Sequence, residues 1–137
     1  MRFIVTGVKN GKSCVIEEVD CTPQGEDVST KTLLDLPAGA LPPRPAGKAM
    51  HIDIGVPAGA VRWLRVRFRP NQTMPNHHTD SIDCFTVVSG SVDLVLDDGP
   101  HRLAPGDCAV VKGVDHSWKT GAQDCVISTL IFGTPAA

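Results

Sequence analysis

No two of the five cysteines, Cys14, Cys21, Cys84, Cys108 and Cys125, form a C-x-x-C pair. With an odd count they read as reduced thiols acting as small core hydrophobes, not as a disulfide framework. An excess of positive charge is also lacking: 13 Lys and Arg stand against 15 Asp and Glu, a net charge of -2. Nothing electrostatic therefore points to nucleic acid or an anionic membrane. Long apolar runs are missing too. After Arg2 only Phe3-Ile4-Val5 are apolar in sequence, too few for a signal peptide, and no window approaches the roughly 20 residues of a membrane span. The expected location is the cytoplasm. Finally, no stretch of any length carries a helical period, which argues against helix-based fold classes.

Short strands with frequent turns are what the chain has. Phe3 to Val8 and Ser13 to Val19 flank Lys9-Asn10-Gly11-Lys12, and Asn-Gly suits a type I′ hairpin turn. From Asp20 to Pro57 the chain holds Pro23, Pro37, Pro42, Pro43, Pro45 and Pro57, which forbid long helices and regular central strands. This segment reads as an ordered arm with a short strand or turn near Thr30 to Leu34, pinned to a core by Leu33, Leu34, Leu36 and Leu41. Val61 to Arg69 alternates cleanly, with Leu64, Val66 and Phe68 on one face and Trp63, Arg65, Arg67 and Arg69 on the other. The arginine row is either a solvated or intersubunit face, or it places Arg65 or Arg67 inside a barrel to hold an anionic substrate. Further strands follow over Phe85 to Val88, Ser91 to Leu96, His101 to Leu103, Cys108 to Val111, His116 to Lys119 and Cys125 to Phe132. The spacing predicts an all-β barrel or double-sheet jelly roll. One domain over 1–137 is expected, with the hairpin and arm in 1–60 and the barrel in 61–132; this length buries about two-thirds of the unfolded surface.

The densest polar stretch runs from Asn76 through Asp83: two adjacent histidines, two carboxylates and hydroxyls leading into an apolar strand. Burying such groups demands a partner or a function. His77 through Gly90, followed by Pro105-Gly106-Asp107 and His116, resembles the two motifs of the cupin superfamily, G-x5-H-x-H-x3-4-E-x6-G and G-x5-P-x-G-x2-H-x3-N. His77-His78-Thr79-Asp80-Ser81-Ile82-Asp83 is similar to the H-R-T-D-[ST]-[IL]-D block of small single-domain cupins. The resemblance covers Val61 to Phe132 and implies a double-stranded β-helix, the jelly-roll cupin barrel, with the N-terminal hairpin and proline-rich arm added. It also implies a homodimer.

Seven residues before Gly90, Asp83 stands where cupins carry the glutamate ligand. A four-residue spacer puts the two histidine positions on Asn76 and His78, and a three-residue spacer puts them on His77 and Thr79; neither restores two histidines. His116 matches the third histidine and Thr120 replaces the closing asparagine. Two chemistries stay open. His77, His78, Asp83 and His116 supply up to three or four donors for one divalent iron, manganese, nickel or zinc ion. Without a metal, His77, Asp83 and His116 are the expected acid/base residues, acting on a small molecule that carries a carbonyl or carboxylate, and a histidine beside a carboxylate titrates near neutral pH. Adjacent histidines on a regular strand face opposite ways, so both join one site only across a bulge. Asp80, Thr79 and Ser81 read as backbone-satisfying turn residues. Trp118 shares the face of His116 and is a candidate wall for a flat substrate, with core packing as the alternative. Cys84 faces away from Asp83. The functions to weigh are a lyase or isomerase of the decarboxylation or dehydration type, a metal-dependent dioxygenase and a non-catalytic small-ligand barrel.

Overall fold

A computed structural model describes residues 1–37 and 47–136. The strands are β1 (Arg2–Lys9), β2 (Lys12–Asp20), β3 (Met50–His51), β4 (Val61–Phe68), β5 (His77–His78), β6 (Ser81–Ser89), β7 (Val92–Leu96), β8 (Gly99–Leu103), β9 (Cys108–Val111), β10 (Ser117–Lys119) and β11 (Cys125–Gly133). A six-stranded sheet in the order β2-β1-β9-β6-β11-β4 faces a three-stranded sheet, β10-β7-β8, while β3 and β5 pair in parallel. The described residues contain no helix long and apolar enough to cross a membrane.

Local chemistry explains each turn. Asn10 and Gly11 both take positive φ, 52° and 73°, as a type I′ hairpin requires. Between β6 and β7 the chain reverses at Gly90, with φ of 70°. A Cβ there would run into the Asp124 carbonyl oxygen, which belongs to backbone and cannot swing aside. Gly90→Ala is therefore expected to cost about 3 kcal/mol or more. A urea midpoint within error of the wild type would contradict this close approach.

Period-two alternation builds the barrel interior. Ile4, Phe68, Phe85, Val87, Val92, Leu94, Leu96, Leu103, Val111, Trp118 and Ile127 meet in one buried cluster drawn from both sheets. Residues of the opposite parity, Phe3, Val5, Ile82, Cys108 and Val110, form a second cluster on the outer face of the larger sheet. Leu33, Leu34 and Leu36 of the arm pack against it. The expected short strand or turn near Thr30 to Leu34 does not form: this segment docks through its leucines without joining a ladder. Leu41, assigned to the same anchoring role, lies outside the described residues.

Candidate acid/base site

Parity selects the site residues. Phe85 and Val87 of β6 point into the barrel core, so Asp83 and Ser81, two and four residues earlier, share that inner face. Asp83 lies opposite Ile131 on β11 and Val111 on β9, two apolar neighbours that give its charge no partner. Its hydrogen bond comes from below: the Ser81 hydroxyl donates to Oδ1 at 2.6 Å. Thr79 Oγ1 is 2.8 Å from Ser81 Oγ. Because Ser81 commits its proton to the ionised carboxylate, Thr79 donates to Ser81, and the hydroxyl chain is polarised towards Asp83. Desolvation pushes the carboxyl up to about 6 against the smaller, opposing effect of the Ser81 bond.

The imidazoles form a separate pair. His77 and His116 exchange both backbone N–H···O bonds at 2.9 Å across an antiparallel bridge, which sets their rings 4.4 Å apart between centroids. Each Nδ1 lies 2.8 Å from a carbonyl oxygen, that of Pro75 for His77 and that of Val114 for His116. A carbonyl only accepts, so each Nδ1 carries a proton, and His116, kept neutral by burial, has its lone pair on Nε2. Burial holds His116 down to about 4, opposed by its bond to Val114 and reinforced by the neighbouring His77. The expectation of a histidine titrating near neutrality beside a carboxylate is thus corrected: His116 stands against another imidazole, and Asp83 is the group poised near 6.

The three-residue spacer is the one the chain adopts. His77 and Thr79 take the inner positions, and His78 turns to the opposite side of β5. There its Nδ1 is 3.4 Å from Asp115 Oδ1 and its ring centroid 5.3 Å from that of His51. Asp115 also accepts the backbone N–H groups of Lys48 and Ala49 at 2.8 and 3.0 Å, fastening the end of the arm. Asp80 turns outward as well, with Oδ2 2.9 Å from His51 Nε2.

His78 therefore leaves the expected ligand set. Among the described residues no three His, Cys, Asp or Glu side chains gather as metal ligands. His77 and His116 offer two imidazole nitrogens in the tautomer a metal would require, but Asp83 is not assembled with them. The donor set as it stands among the described residues does not fit a centre that takes three or four protein ligands.

The remaining candidates divide between wall and exterior. Trp118 is buried in the core, packed against Phe68 and Phe85 with centroids 5.4 and 4.8 Å away, and stands edge-on to His116 at 6.3 Å. It backs the imidazole from within the core. Arg65 and Arg67 are exposed, and Arg67 Nε donates to Asp124 Oδ2 at 2.8 Å. Leu64, Val66 and Phe68 occupy the inward parity of β4, so a place for these arginines inside the barrel is corrected to the outer face. Cys84 also lies on that face, its thiol pushed up to about 11 by burial, which leaves it protonated at neutral pH. Two contributions escape a reading of motifs: the Thr79–Ser81 hydroxyl chain and Thr129 on β11. Counting in twos back from Asp83, and from Ile131 on β11, is the signal that finds them.

Two facing sheets closed into a short-strand barrel, with histidine and carboxylate side chains on the inner wall, define a double-stranded β-helix. A family model described as the cupin domain matches residues 64–130, and the chain belongs to the cupin superfamily. It is 36% identical over 102 residues to Phomopsin biosynthesis cluster protein C' of Diaporthe leptostromiformis, across 74% of this chain and 46% of that protein. Phomopsin biosynthesis cluster protein D of the same organism gives the same identity and coverage. The chain thus spans about half the length of the curated relatives it matches. Among solved structures, the polyketide cyclase RemF from Streptomyces resistomycificus is 25% identical, with a TM-score of 0.49, over 52% of this chain and 53% of that one.

Proposed function

We propose that this cupin is a metabolite lyase or isomerase of the decarboxylation or dehydration type, working by acid/base chemistry on a small molecule that carries a carbonyl or carboxylate. The observations that support this reading are a desolvated, inward-facing carboxyl on β6 poised near 6 and, separately, the buried His77–His116 pair, in which burial keeps His116 neutral. A group with that midpoint has both protonation states populated near neutrality, which suits giving a proton to carbon or taking one from it. His116, neutral and with its Nδ1 proton committed to Val114, cannot donate through Nε2, so it acts as an acceptor for a substrate hydroxyl or for the proton that must leave.

In a dehydration, a base removes the C–H proton next to the carbonyl, the electron pair forms the C=C bond, and hydroxide departs with a proton from the acid. In a decarboxylation, the electron pair of the breaking C–C bond stays on the α-carbon as CO2 leaves, and the proton on Asp83 closes that carbon. Similarity to proteins named for biosynthesis clusters supports a place in secondary metabolism.

The test is incubation with a panel of β-keto and β-hydroxy acids in D2O, followed by NMR. From β-keto acids, decarboxylated product carrying deuterium at the carbon next to the carbonyl is expected, from β-hydroxy acids the unsaturated product of water loss, and pH–rate curves should break near pH 6. A rate loss below that break marks Asp83 as the base, and one above it marks it as the acid. Decarboxylated product without solvent deuterium, or no turnover of either class of acid, would sink the proposal.

A further inference from the structure

Among the described residues, the inner face carries a buried hydroxyl that neither the hydroxyl chain nor the imidazole pair uses. Thr129 is 5% exposed, and its Oγ1 is buried with no hydrogen-bond partner among the described residues. A buried hydroxyl of this kind is rare because it forfeits its bonds to water and gains nothing in return. Its position gives the reason for keeping it. On β11, Thr129 lies opposite Phe85 and Ile131 lies opposite Asp83, so Thr129 and Asp83 are diagonal neighbours on one face, about 7–8 Å apart between Cα atoms. Asp83 uses Oδ1 for Ser81, and Oδ2 has no partner among the described residues. An unfilled donor and an unfilled carboxyl oxygen therefore stand as diagonal neighbours on the same piece of inner wall. The other buried unpaired atoms, His78 Nδ1 and Thr134 Oγ1, are placed differently: His78 lies beside Asp115, and Thr134 lines a cleft with His51 and Asp80 outside the barrel.

We infer that Thr129 is a substrate-binding residue, its hydroxyl donating to a carbonyl or carboxyl oxygen held beside Asp83. This assignment rests on the proposed function and adds to it the group that orients the substrate. An oxygen accepting from Thr129 places the adjoining carbon towards the carboxyl, and charge developing on that oxygen strengthens the bond as the proton moves. A substrate lacking an acceptor there leaves the hydroxyl unpaired and binds more weakly.

Thr129→Val keeps the branched shape and removes the donor, while Thr129→Ser keeps the donor. Pyruvate is the probe, since it is among the smallest molecules carrying both oxygen types, with binding read by saturation-transfer NMR and stability by melting. Thr129→Val is expected to melt roughly 3 °C higher than the wild type, because an unpaired hydroxyl has gone. It should also bind pyruvate at least about tenfold more weakly, with Thr129→Ser restoring binding. A lowered melting temperature in Thr129→Val, wild-type pyruvate binding by that variant, or no binding by the wild type would each overturn the inference. Turnover that depends on Asp83 but is untouched in Thr129→Val overturns this assignment alone, whereas turnover indifferent to Asp83 overturns the proposed function.

Discussion

Asp83→Asn is expected to lower turnover by about a hundredfold or more while making the protein more stable at pH 8. The two effects share one cause. Burial between Val111 and Ile131 lifts the Asp83 carboxyl from 3.8 to about 6, which makes it useful for proton exchange and costly to ionise. Below pH 3.8 the carboxyl is protonated in both folded and unfolded chains, so no cost arises. As pH rises towards 6, the unfolded chain sheds the proton that the folded chain retains, and stability falls. Above 6 the loss is complete, on the order of 3 kcal/mol for a displacement of about 2 units. Asparagine keeps the shape and an acceptor for Ser81 without the charge, so its advantage appears only as pH climbs through this window. Urea midpoints at pH 4 and pH 8 check it: equal gains at both would contradict a half-buried, desolvated carboxyl that titrates in this window.

His116→Asn is expected to reverse the sign of the pH effect. Its amide can still donate to the Val114 carbonyl as Nδ1 does, but the Nε2 lone pair is gone, and turnover should again fall about a hundredfold. Burial lowers His116 from 6.5 to about 4, so the native state favours neutral imidazole. That contribution is fully present above pH 6.5 and is lost as pH falls towards 4, on the order of 3 kcal/mol. In the wild type the two groups oppose each other between pH 4 and 6.5, Asp83 losing stability with rising pH while His116 gains it. Removing either unmasks the other. Relative to the wild type, Asp83→Asn should become more stable with rising pH across this window and His116→Asn less stable. All other titrating groups are common to the three proteins and cancel in these differences. Parallel curves for all three would contradict the assignment of either group.

Much of this site is legible in the sequence because strand parity is a counting rule. Gly90 fixes Asp83 by its spacing, Phe85 and Val87 fix which way Asp83 points, and Asn10-Gly11 announces the opening hairpin. The alternation of β4 is equally plain, yet it left open which face was interior. Phe68 and Val66 in the core settle that, and the arginines follow to the outside. Choosing between His77 and His78 required a contact that no local pattern contains. The bridge from His77 to His116, and the parallel pairing of β5 with the returning arm, together hold one ring inward and the other against Asp115. The arm misled for a related reason. Leu33 and Leu34 have the apolar character of a strand, but they are buried by side-chain docking on the second cluster instead of by a backbone ladder. The pKa order of the site was hidden as well. It depends on Val111 and Ile131 flanking Asp83 from strands distant in the chain.

The claim on which the account turns is that Asp83 is a desolvated carboxyl poised near neutrality, and it can be measured without knowing the substrate. In protein labelled with 13C at aspartate side chains, the Asp83 resonance, assigned by its loss in Asp83→Asn, is followed from pH 3 to pH 8. A midpoint near 6 is expected. A midpoint near the ordinary aspartate value of about 4 would contradict the account.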